Sequence, residues 1–240
     1  MEVRNSLLNF DAVIYQDDEW FKFSLDSVLL VNFVTLNLRC RKIMDLACGN
    51  APIPMLLSYK TKASIFGVEL QKCVYDLGVK SIKENGMDKQ IELLNVDVRK
   101  IKDYFDSDSF DMVLCNPPYF KISGNDDYLS ENMVKRVARH EVHLNLDDIL
   151  VNARYLLKNG GIFAMVHRSE RFIEIITKMK EYNIEPKKVQ FVYAKGGKNS
   201  ELFLIEGAKN GKSGMKVLPG FVVSNDDGSY TDVVRKMFSE

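Results

Sequence analysis

The sequence predicts an open, mainly parallel α/β sheet with helices on both faces, finished at one edge by an antiparallel hairpin. Three observations lead there. From about residue 40 onward, short β-type apolar runs alternate with longer helical patterns, the rhythm of a parallel sheet with crossover helices. That rhythm then breaks, because two late strand candidates are separated only by Lys195-Gly196-Gly197-Lys198-Asn199-Ser200. Finally, the chain has no internal repeat, low-complexity tract or interdomain linker, so one domain is expected.

In chain order, an N-terminal segment (1–40) carries a helix near 25–36. A core (41–223) follows, with strands at 43–47, 64–68, 91–95, 112–115 and 162–166. Helices are expected at 52–59, 71–85 and 146–158, the last with Asn145 as N-cap and Asn159-Gly160-Gly161 as its stop. A helix over 170–182 takes Ser169 as N-cap, and the hairpin strands fall at 189–194 and 202–207. Residues 216–223 are expected on the sheet edge, and the peripheral tail (224–240) ends in a short helix.

Bulk properties narrow the class. A chain of 240 residues can bury a core without disulfides or metal. No apolar run approaches the roughly 20 residues of a membrane span, and the first residues lack the apolar stretch of a secretory signal. Cysteines at 40, 48, 73 and 115 show no C-x-x-C spacing, so buried free thiols, no metal site and a reduced, cytoplasmic protein are expected. The net charge of zero hides an asymmetry: nine lysines against four glutamates from Lys178 to Lys216, and a cluster at Lys135, Arg136 and Arg139. Asp17-Asp18-Glu19 and Asp226-Asp227 oppose them. A local basic face and an evenly solvated surface explain these counts equally well. Nothing fixes the oligomeric state, and a monomer fits.

Four strand ends carry the chemistry. Ile43-Met44-Asp45-Leu46-Ala47-Cys48-Gly49-Asn50-Ala51 runs from a strand through a small-residue turn into a helix, where the backbone can approach a ligand closely. Asp45 could accept from a cationic amino group. Ala47 and Ala51 stand where many nucleoside-binding loops have glycine, a mild change so long as φ stays negative. The run does not match the dinucleotide pattern G-x-G-x-x-G, which counts against a nicotinamide oxidoreductase. Glu69 ends the second strand, 24 positions after Asp45, where an acid can accept both hydroxyls of a ribose. Asp97 ends the third; it either accepts from an adenine amino group or simply caps the next turn. At the fourth, Phe110–Cys115 runs into Asn116-Pro117-Pro118-Tyr119. Two prolines fix the backbone and remove two N–H donors. The resulting lip offers the Asn116 side-chain oxygen and the Pro117 carbonyl to the two hydrogens of a planar NH₂, with Tyr119 as a stacking face. Positioning and electrostatics suffice for methyl transfer from a sulfonium, without a metal, a nucleophilic cysteine or a strong base.

These motifs resemble the Asn/Asp-Pro-Pro-aromatic amino-methyltransferases, whose class I fold has the same parallel sheet and terminal hairpin. Phe23-Ser24-Leu25-Asp26-Ser27-Val28-Leu29-Leu30, Arg139-His140-Glu141, Val166-His167-Arg168-Ser169-Glu170-Arg171 and the segment from Glu185-Pro186 to Tyr193 are similar to segments of bacterial tRNA-Val adenine-N6 methyltransferases. The resemblance covers most of residues 10–223. It implies S-adenosylmethionine held by Asp45, Ala47, Gly49, Glu69, Asp97 and Asn116. It further implies catalysis by Asn116, Pro117 and Tyr119 on the adenine 3′ of a tRNA anticodon. Pro118, Arg139, His140, Arg168 and Lys195 are the substrate-side candidates, although a lone histidine such as His140 or His167 is more often a structural residue. Guanine-N2, cytosine-N4 and glutamine-N5 enzymes, and a non-catalytic RNA-binding module of the same fold, are the alternatives. With about 42 residues ahead of Ile43 and 240 in all, neither a helical release-factor domain nor a DNA target-recognition domain is expected, and a small RNA enzyme fits best.

Overall fold

The computed structural model describes residues 2–7, 12–17, 25–117 and 144–239. Two N-terminal strands, β1 (Glu2–Ser6) and β2 (Val13–Asp17), pair antiparallel ahead of helix α1 (Leu25–Phe33). Then come β3 (Lys42–Leu46), α2 (Pro52–Ser58), β4 (Ser64–Val68), α3 (Lys72–Glu84), β5 (Ile91–Leu94) and β6 (Phe110–Cys115). After the segment outside the described residues follow α4 (Leu146–Leu156), β7 (Leu157–Arg168), α5 (Phe172–Glu181), β8 (Ile184–Lys195) and β9 (Leu202–Lys209). The chain closes with β10 (Lys216–Val217), β11 (Phe221–Ser224) and α6 (Asp232–Ser239).

The sheet runs β8-β9-β7-β6-β3-β4-β5, with β10 and β11 both on the outer edge of β8. Strands β3 to β7 are parallel, and β9 is antiparallel to both β7 and β8. Alternation along each strand builds two apolar layers. Ile43, Met112, Leu114, Ala164 and Val166 face α1, α2 and Ile82 of α3. Met44, Val113, Cys115, Phe163 and Met165 face α4 and α5. Because β3 leads outward to β4 and β5, whereas β6 leads the other way to β7, the strand order reverses between β3 and β6. Open α/β sheets bind ligands at the carboxyl ends flanking such a reversal.

The expected rhythm and hairpin are present, with local differences. α4 ends at Leu156 and passes directly into β7 through an extended Leu157. Asn159-Gly160-Gly161 therefore lies inside a strand whose register with β6 shifts, and Gly160 (φ 77°) absorbs the irregularity instead of stopping a helix. Asn145 does cap α4, in a reciprocal capping box with Asp148. Ser169 caps nothing: residues 169–171 form a 3₁₀ turn, and its hydroxyl pairs with that of Ser200. Residues 216–217 and 221–224 add parallel strands to β8. The β1–β2 hairpin was not foreseen; β1 is mostly exposed and so lacks an apolar pattern. Side chains help hold it, with Ser81 of α3 and Asn85 at its C-cap accepting from Tyr15 N and Val13 N and Asn50 donating to the Tyr15 carbonyl.

Candidate active site

The register of the sheet brings the strand-end residues together. Leu46 pairs with Val68 on one side and with Cys115 on the other, so Ala47, Glu69 and Asn116 follow in neighbouring positions on one edge. Cys115 pairs in turn with Met165, which places His167 and Arg168 just beyond, on the same edge.

Asp45 is 1% exposed, and among the described residues neither of its carboxylate oxygens has a hydrogen-bond partner. Burial, with the nearby Glu69 carboxylate, pushes its pKa well above the usual range. Glu69 is also buried, and burial raises its pKa against the opposing pull of its amide donors. Its two oxygens accept from Gly49 N (3.0 Å) and Gln71 N (2.8 Å), tying the turns after β3 and β4 together. Each carboxylate oxygen can accept a second hydrogen bond. A buried, unpartnered acid beside a partly used one suits a ligand that brings a cation and hydroxyl donors.

The turn between them is tighter than expected. Ala47 (φ 56°), Gly49 (φ 59°) and Ala51 (φ 68°) are all left-handed. The two alanines thus do not keep the negative φ that would make them mild replacements for glycine. The turn also presses on β4: a Cβ at Gly67 would stand 2.8 Å from Cys48 Sγ and 2.6 Å from Leu93 Cδ2. Cys48 and Cys115 are buried free thiols, and burial together with Asp45 pushes both pKa values well up. Neither is a nucleophile in that state. Cys40 is buried too, and Cys73 is exposed.

Asp97 caps the 3₁₀ turn Val98–Asp103, accepting from Arg99 N, and it forms a two-pronged pair with the Arg99 side chain. The Arg99 guanidinium holds its carboxyl below the usual range. Of the two roles open to Asp97, capping is the one its geometry displays.

Asn116 and Pro117 directly follow β6 at the reversal point, and the Asn116 amide donates to Ser27 Oγ of α1 (3.2 Å). Pro118, Tyr119, Arg139 and His140 lie outside the described residues. His167 is 2% exposed, its Nδ1 accepts from Arg168 N, and burial then Arg171 lower its pKa to about 3. It is therefore a neutral, built-in histidine. Arg168 pairs with Leu202, and Ser169 N donates to Glu201 O. The β8–β9 loop, with exposed Lys198 and the half-buried Lys195, accordingly lies beside Arg168 on the site's edge. Ser27 was not singled out in the sequence, because its contact with Asn116 spans 89 positions.

The fold and these strand ends define a small methyltransferase domain. The family model for the methyltransferase small domain matches residues 21–191, and the chain belongs to that family. Among curated relatives, a tRNA1(Val) (adenine(37)-N6)-methyltransferase of Cytophaga hutchinsonii is 27% identical over 160 residues, covering 65% of this chain and 64% of that one. The protein of the same name from Bacteroides thetaiotaomicron is 23% identical over 229 residues, covering 95% and 89%. Among solved structures, a predicted O-methyltransferase from Agrobacterium tumefaciens superposes with TM-score 0.71 at 17% identity, covering 89% of this chain and 95% of that one. At that identity the likeness establishes the fold alone.

Proposed function

We propose that this protein is an S-adenosylmethionine-dependent methyltransferase that methylates N6 of an adenine in tRNA. One observation carries the reading: Asn116-Pro117 stands at the strand-order reversal, beside a buried Asp45 carboxylate that has no hydrogen-bond partner among the described residues. The names of the relatives, together with the flanking segments that resemble those of tRNA-Val adenine-N6 methyltransferases, point to tRNA as the carrier of the amine.

S-adenosylmethionine, when bound, supplies an electrophilic methyl group on a sulfonium. Asp45 accepts from its ammonium group, and Glu69 accepts from its ribose while keeping its hold on Gly49. Asp97, already engaged by Arg99, retains acceptor capacity for the adenine amino group. Asn116 Oδ1 and the Pro117 carbonyl accept the two hydrogens of the target amine, which turns the nitrogen lone pair out of conjugation and towards the methyl. Tyr119 stacks on the base, and the amine loses its proton after transfer. Arg168 suits bidentate phosphate contact, and Lys195 and Lys198 extend that basic edge along the hairpin loop. Pro118, Arg139 and His140 complete the substrate side. Among the described residues no helix is long and apolar enough to cross a membrane, and a cytoplasmic, single-domain enzyme is the reading that suits a tRNA substrate.

Incubation with methyl-labelled cofactor and separate pools of tRNA, ribosomal RNA, duplex DNA and release factor tests this directly. Label in tRNA as N6-methyladenosine is the expected result. Label confined to another pool overturns the tRNA reading, and undiminished turnover by Asn116→Ala removes the lip from catalysis.

A further inference from the structure

We infer that Ser27 is a positioning residue for methyl transfer: its hydroxyl anchors the Asn116 side-chain amide at a fixed place beside the target amine. The inference rests on the reading of Asn116 given above and extends it to a helix outside the strand-end motifs. The two ends of an asparagine amide are nearly equal in shape and opposite in chemistry. Oδ1 accepts from an amine, whereas Nδ2 only donates. Rotated by half a turn, Asn116 would confront the NH₂ of the substrate with an NH₂ of its own. Ser27 Oγ accepts from Nδ2 at 3.2 Å; a serine hydroxyl can donate as well as accept, so what this contact fixes is the place of the Asn116 side chain.

The setting of Ser27 supports this role. It is 3% exposed, on a helix whose Val28, Leu29, Leu30, Val31 and Phe33 are all buried. For stability alone, alanine would serve better in a helix interior, and an apolar neighbour would avoid burying a hydroxyl. The height of α1 is also fixed from its far end. Lys188 Nζ donates to Phe33 O (2.6 Å) and Thr35 Oγ1 (2.7 Å), while pairing with Glu206 (2.8 Å) on β9. Glu206 in turn accepts from Thr35 N. The helix is thereby tied to the hairpin strands, and Ser27 is held at a set position beside the lip.

The test compares Ser27→Ala, Ser27→Thr and Asn116→Ala for kcat, KM for tRNA, cofactor Kd by titration, and melting temperature. Ser27→Ala is expected to lower kcat about tenfold, the worth of roughly one hydrogen bond. Its cofactor Kd should stay within twofold and its melting temperature within about 2 °C, since serine to alanine favours the helix. Ser27→Thr, which restores a hydroxyl at the same position, is expected to recover kcat to within threefold. If kcat of Ser27→Ala stays within twofold while Asn116→Ala is inactive, the positioning role is wrong and the reading of Asn116 stands. A fall in cofactor affinity or melting temperature matching the loss of kcat also overturns it, as a structural effect. Undiminished turnover by Asn116→Ala removes the reading beneath it and the inference together.

Discussion

The two ends of β3 and β6 are built on opposite terms. At the amino end, Asp111 accepts from Arg41 N (2.8 Å), Lys42 N (3.0 Å) and Lys158 Nζ (2.6 Å). Burial works against its ionisation, but these donors outweigh it and keep its pKa below the ordinary value. Lys42 Nζ lies 4.5 Å, 4.9 Å and 5.1 Å from the ring centres of Phe110, Phe66 and Phe105, which meet one another edge to face. Three residues along β3, Asp45 is buried with no donor among the described residues, and the turn beyond it holds two left-handed alanines. One end satisfies its charges within the chain. The other leaves an unanswered buried carboxyl and strained backbone for a ligand to complete, the pattern of a site whose polar groups are completed from outside.

Substitution at each end should therefore separate stability from function. Asp45→Asn is expected to weaken cofactor binding by on the order of a hundredfold, since it removes the acceptor of a charged, buried contact. The same change should stabilise the cofactor-free protein at high pH. A folded-state pKa above the unfolded one means that the stability Asp45 contributes is present at low pH and lost as pH rises through the folded value. Melting curves from pH 5 to pH 9 should accordingly slope down more steeply for the wild type than for Asp45→Asn. Matching slopes together with unchanged affinity would erase the contrast. Asp111→Ala is expected to do the reverse. It strands two backbone amides and Lys158, at a cost of about 2 kcal/mol in a denaturant melt, while cofactor affinity stays within twofold. A fivefold loss of affinity would show that the two ends are not separable.

His167 lies at the carboxyl edge but obeys the rules of the other end, being buried and partnered. Its folded pKa of about 3 is below the unfolded value of about 6.5. Its contribution is therefore fully present above pH 6.5 and lost as pH falls towards 3. Between pH 7 and pH 5.5 the wild type should lose about 1 kcal/mol more than His167→Asn, whose side-chain oxygen can still accept from Arg168 N. Parallel losses in the two proteins would show that His167 is solvated and belongs with the open site.

The strand-end part of the candidate site was legible because apolar runs locate strand ends well. Asp45, Glu69 and Asn116 follow from the lengths of three such runs, and register does the rest. What escaped depends on backbone angles or long-range contacts. Asn159-Gly160 reads as a helix stop, yet the same freedom of glycine serves an irregular strand (φ 77°). Asp97 had two readings of equal weight, and only the position of Arg99 distinguishes what its carboxylate does. Ser27 looks like one polar residue in an apolar helix until α1 is laid against β6. The hairpin at Glu2–Ser6 and Val13–Asp17 buries Ile14 in the core and is also tied to Ser81 and Asn85, far away in the chain.

The smallest expected effect bears most directly on whether the open end is strained. Alanine in the left-handed region costs about 1–2 kcal/mol relative to its preferred conformation, a cost glycine avoids. Glycine, however, gives up roughly 0.4–1 kcal/mol through the greater freedom of the unfolded chain. At Ala47 (φ 56°), which is half-buried, the balance favours glycine by about 0.5 kcal/mol. Ala47→Gly should thus raise the melting temperature of the cofactor-free protein by about 1–2 °C. Ala51 is a poorer probe, since it is fully buried and losing its methyl would forfeit about 0.8 kcal/mol of burial. A lower melting temperature for Ala47→Gly would mean that the methyl contributes more by packing than the backbone loses by strain. The open end of β3 would then differ from the closed one in its buried Asp45 carboxyl alone.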